Sequence, residues 1–196
     1  MPGWQRWYDA DRPDELELVS VAVDLGGEAA VRPWVERAGA RFPTVLDADN
    51  RLGALLGYRA IPNGVLLDPR GVIRYAKFGG FDIHRPADLR AVRAALRKHD
   101  GGEGVEPGRR GALGAADQER VVALLREGAA KLRAGERAAG LAAWRAALRL
   151  DPENLVIRKQ LWRADHPERF GEAIDVAWQR DQLAAERARD AGGRGG

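Results

Sequence analysis

Gly57-Tyr58-Arg59-Ala60-Ile61-Pro62-Asn63-Gly64-Val65-Leu66-Leu67-Asp68-Pro69-Arg70-Gly71-Val72-Ile73 is the stretch that decides how the chain is read. Residues 64–67 are a short apolar run bounded by turn residues, which marks a strand. Asp68-Pro69-Arg70-Gly71 has turn chemistry. The Asp can bond its own backbone, the Pro presets its φ, and the Gly tolerates the last position. Residues 72–78 then return as the second strand of a hairpin. Ile61-Pro62 stands just before it, and a proline bond is the one peptide bond with an accessible cis form.

Outward from the hairpin, strand and helix signals alternate. Residues 16–23 (LELVSVAV) are apolar on both faces at their centre, as expected of a strand buried on both sides. Residues 28–40 place Val31, Trp34, Val35 and Ala38 on one helical stripe. A short strand at 42–46, a short helix at 50–56 and a helix at 86–97 complete the first half. Strands separated by helices predict a sheet with helices on both faces.

This stretch resembles the second half of the redoxins: TlpA, ResA and the AhpC/TSA peroxiredoxins. Those proteins carry a Y-x-V-x-x-I-P segment followed by a strand and an Asp-x-x-Gly turn. The resemblance covers roughly residues 1–98. It implies that Pro62 is the family's cis-proline. It also implies that Ile61, Pro62 and Asn63 form the substrate-binding edge, where an extended peptide or protein partner would lie. Asn63-Gly64 departs from the Thr-Thr pair common in the family.

The start of the chain departs further. Family members read W-C-x-x-C-R-x-E-M-P, and Met1-Pro2 aligns with the M-P of that helix. The alignment places the cysteine motif and the first strand ahead of Met1. Two explanations stand: a start assigned too late, or a true loss of the redox half. The chain has no cysteine, which excludes thiol catalysis and disulfides as given.

Residues 116–134 and 137–150 form a helix pair around Gly135, followed by Asp151-Pro152-Glu153-Asn154. This resembles one tetratricopeptide (TPR) repeat, with Gly128, Trp144 and Ala147 at matching positions and Gly140 and Lys131 departing from the pattern. Asp151 can N-cap the next helix, with Pro152 at its first position. Helices at 154–164 and roughly 170–189 follow.

The expected fold class is therefore α/β: a thioredoxin-like fold lacking its first strand and cysteine motif, followed by an all-α TPR-like helical segment. The expected division is a thioredoxin-like domain at 1–99 and a Gly-rich linker at 100–115. A helical module at 116–190 and a disordered tail at 191–196 follow.

Composition bounds the function. The net charge is only +3, spread along the chain, and nucleic-acid binding needs a clustered basic patch. No run approaches the ~18 apolar residues of a membrane span. The N-terminus has no signal-peptide pattern, so a cytoplasmic location is expected. His84, His99 and His166 have no ligand spacing, and Ser20 is the only serine. No cofactor or metal is expected. The expected function is that of a redoxin relative without its thiol chemistry. The alternative is a non-catalytic interaction module using the Pro62 groove and the helices, with self-association as a further expectation.

Overall fold

The computed structural model describes residues 2–97, 113–171 and 175–192. The chain falls into two compact units, Met1–Arg158 and Lys159–Gly196.

The first unit opens with α1 (Pro2–Ala10), whose Trp4, Trp7 and Tyr8 lie on one stripe. Tyr8 meets Phe42 at 5.8 Å between ring centroids, and Trp4 meets Phe81 at 5.6 Å. α1 therefore lies over the start of one strand pair and the end of the other. β1 (Ser20–Ala22) runs parallel to β2 (Thr44–Leu46), joined through α2 (Glu28–Ala38). The Ser20 and Thr44 hydroxyls, side by side in register, lie 2.6 Å apart. α3 (Arg51–Leu56) begins where the Asp47 carboxylate accepts the N–H groups of Arg51 and Leu52, both at 2.8 Å. That satisfies two of the donors a helix start leaves open.

β3 (Gly64–Leu67) and β4 (Ile73–Lys77) form the antiparallel hairpin. Its turn is built as its residues dictate. The Asp68 carboxylate accepts the N–H groups of Arg70 and Val72, both at 2.9 Å, and Gly71 sits at φ 80°. Arg74 donates to the other oxygen of Asp68 at 2.8 Å. α4 (Pro86–Leu96) packs on β4, where buried Asp88 accepts from Lys77 at 2.5 Å.

α5 (Ala115–Arg133) and α6 (Arg137–Leu150) make a tight hairpin. Gly128 and Gly140 face each other at its crossing. A Cβ on Gly128 would lie 2.5 Å from Trp144 Nε1 and 2.8 Å from the Gly140 carbonyl oxygen. A Cβ on Gly140 would meet the Gly128 carbonyl oxygen, also at 2.8 Å. Trp144 Nε1 donates to the Leu125 carbonyl at 3.2 Å, so its polar edge is satisfied inside the core. α7 (Leu155–Asp165) starts in this unit. The second unit contains a short 3₁₀ turn (Pro167–Arg169) and α8 (Val176–Gly192). There Trp178 packs against Trp162 at 5.7 Å and His166 at 5.1 Å, and Trp162 donates to Glu186 at 2.6 Å.

The expected thioredoxin-like α/β fold is not found. Helix accounts for 57% and strand for 9% of the described residues. The strands form two separate two-stranded sheets instead of one central sheet. The physical reason lies in residues 16–23. A run apolar on both faces becomes a buried central strand only when a neighbour lies on each edge and a layer on each face. Only Ser20–Ala22 is strand, β2 is its one neighbour among the described residues, and Val19 and Val21 are exposed. Most of the expected 100–115 linker, and residues 193–196 of the expected tail, lie outside the described residues.

Candidate functional site

The segment between α3 and β3 has no regular structure of its own from Tyr58 to Asn63, so its shape depends on what holds it. Tyr58 is buried, with its ring 5.9 Å from that of Phe78. Burial, aided by the Asp47 charge, pushes its phenol up to about 12. It therefore stays neutral at physiological pH.

The Ile61–Pro62 peptide bond is cis. Ile61 is 44% exposed and Pro62 is exposed beside it. Asn63 is differently placed. Its Nδ2 donates to the Ala60 carbonyl at 2.9 Å, and its Oδ1 accepts from the Gly79 N–H at 2.7 Å. Both ends of that amide are used inside the protein, tying the segment to the turn after β4. The Pro62 carbonyl accepts from the Phe81 N–H at 3.2 Å, a second tie to the same turn. A Cβ on Gly64 would lie 2.6 Å from the Phe81 ring, so Gly64 lets that ring close over the strand. Of the three residues read from the sequence, Ile61 and Pro62 face outward together, while Asn63 braces them.

β3 continues this surface. Leu66 is buried on the face shared with its partner Tyr75, whose ring lies 6.1 Å from that of Phe81. The opposite face carries Val65 and Leu67, 38% and 56% exposed. Successive side chains on a strand point to opposite faces, so these two stand side by side outward. Val21 and Val45, in register across β1 and β2, are exposed in the same way. Sequence reading missed Val65 and Leu67 as surface residues, because Gly64-Val65-Leu66-Leu67 is apolar on both faces and carries no alternation. The free edge of a two-stranded sheet was the missing signal.

Among the described residues no cluster of His, Cys, Asp or Glu is placed to hold a metal ion. Ser20 is engaged with Thr44. His84 lies against Gly3 of α1 and His166 against Trp178, far apart in sequence, and His99 lies outside the described residues. Next to the segment is a cavity of about 30 Å³ bordered by Asn50, Tyr58, Arg59, Gln118, Asp151 and Asn154. That is room for about one water molecule. Among the described residues no helix is long and apolar enough to cross a membrane.

No protein-family model, no curated protein and no solved structure matches the chain.

Proposed function

We propose that this chain is a non-catalytic protein-interaction module that takes an extended segment of a partner protein beside Ile61 and Pro62 and along the open edge of β3. The observation that carries the reading is the exposed apolar set of Ile61, just before β3, and Val65 and Leu67 on β3, a strand with a single neighbour among the described residues. An open strand edge offers unpaired N–H and C=O groups to an incoming chain. Strand addition uses that edge for affinity and alternate side chains for specificity. The partner segment is accordingly extended, with apolar side chains at every second position.

Kinship with the redoxins is a second reading, favoured by the motif at residues 57–73. Without a cysteine, such a relative keeps no thiolate to attack a disulfide or peroxide.

The test is selection of a library of short random peptides on the full chain, followed by calorimetry of the winners. Peptides with alternating apolar residues are expected, and Leu67→Glu should weaken them about tenfold or more, roughly 1.4 kcal/mol. Three results reject the reading: no peptide selected, peptides lacking that alternation, or peptides indifferent to Val65→Glu and Leu67→Glu. A concentration-dependent dimer lost in Leu67→Glu would instead name a second copy of the chain as the occupant.

A further inference from the structure

Residues 58–63 carry the exposed Ile61 and Pro62 yet belong to no helix or strand. Some other element must fix them. On one side the Asn63 amide and the Pro62 carbonyl engage the turn after β4. On the other side the partners come from the start of α7, more than ninety residues further along the chain. The N–H of Leu155 donates to the Arg59 carbonyl at 2.7 Å. The Arg59 Nε lies 2.8 Å from Asp151 Oδ1, with the two side chains 27% and 8% exposed. Asp151 Oδ1 accepts no hydrogen bond, so this is a close pairing of charges and not an aligned bond.

Asp151 is free for that task because Asn154 does the capping. Asn154 Oδ1 accepts the N–H groups of Val156 and Ile157 at 3.1 and 3.2 Å, closing the start of α7. The reading of Asp151 as the cap is corrected on this point. Asn154 Nδ2 also donates to the other oxygen of Asp151 at 2.9 Å, which aims Oδ1 towards Arg59. Two further ties seat the helical hairpin on α3 and the turn before it. Gln118 donates to the Ala54 carbonyl, and Arg126 pairs with Asp49 at 2.7 Å. Residues up to Arg158 accordingly fall in one compact unit with the strands.

We infer that Asp151 is a positioning residue: by holding Arg59, and with the Leu155 N–H holding the same residue's carbonyl, it makes the turn between α6 and α7 the clamp that sets the Ile61–Leu67 edge. The clamp is a statement about structure. Its consequence for a partner rests on reading that edge as the binding face. A buried carboxylate that loses its charge partner is left uncompensated, so the two side chains are coupled.

Amide hydrogen exchange on the full chain tests this. Asp151→Asn is expected to raise exchange at residues 59–67 about tenfold while the middle of α5 and α6 is unchanged. The swap Arg59→Asp with Asp151→Arg should return part of that protection. Unchanged exchange at 59–67 overturns the inference, and so does an equal rise throughout residues 2–158, which would mark general destabilisation. A selected peptide then separates the two readings. Faster exchange with weaker peptide binding supports both. Faster exchange with unaltered binding keeps the clamp and sinks the proposed binding edge.

Discussion

The strands and the helical hairpin share one compact unit but are held in opposite ways. In α5 and α6 the contact residues vanish from the surface: Leu125 is 1% exposed and Ala147 0%. In β1, β2 and β3 and just before β1, residues just as apolar stand in the open: Val19, Val21, Val45, Val65 and Leu67. A helix satisfies its backbone internally and needs one partner face to bury its stripe. A strand depends on neighbours for both its backbone and its faces. The same kinds of residue therefore make a closed core in one region and an unfinished one in the other.

The comparison can be broken from the hairpin side first. Trp144→Ala should cost about 3–5 kcal/mol, the range for losing a buried aromatic, read by urea denaturation. A loss under about 1 kcal/mol would mean that the hairpin is no better packed than the strands. Gly128→Ala should follow at about 1–3 kcal/mol, because a backbone carbonyl and the Trp144 ring occupy the space a methyl needs. A gain in stability, the usual result of Gly→Ala in an exposed helix, would show that the crossing is looser than described.

Acid should come next, and it acts on the strand side. The Asp88 carboxyl is held below the usual aspartate range, first by Lys77 and then by the Asp82 N–H. Asp68 is held down by the Val72 N–H and by Arg74. A carboxyl whose folded pKa is lowered contributes stability above its unfolded value, and that contribution disappears as pH falls through the folded value. Thermal melts should therefore fall steadily below about pH 4. Asp88→Asn should flatten that slope, and an unchanged slope would remove Asp88 from the account. The smallest effect belongs to the open face. Val21→Thr should change stability by less than about 0.5 kcal/mol, as for an exposed surface site. A cost above about 1 kcal/mol in the same titration would show that Val21 is covered in solution.

The same contrast sorts what could be read from the sequence. Residues 137–150 and 64–67 were read with the bounds that are observed, since periodicity and turn chemistry are local. The assembly of strands into a sheet was misread, because LELVSVAV records a capacity to be buried and says nothing of whether a neighbour exists. Asp151 and Asn154 illustrate a finer limit. Both are residue types that cap helices, within one turn of each other, but Asn154 caps α7 while Asp151 pairs with Arg59, remote in sequence. Ile61, Pro62 and Asn63 were picked out only through the resemblance to the redoxins. The bracing role of Asn63 depends on Gly79 and could not be seen locally.

The tie between Leu155 and Arg59 also sets a clock during synthesis. Arg59 leaves the ribosome about ninety residues before Asp151, and at about 5–20 residues per second that is an interval of roughly 5–20 s. Throughout it, Ile61, Val65 and Leu67 have emerged but Asp151 and Leu155 have not. The nascent chain meets chaperones, and any co-translational partner, with this edge unclamped.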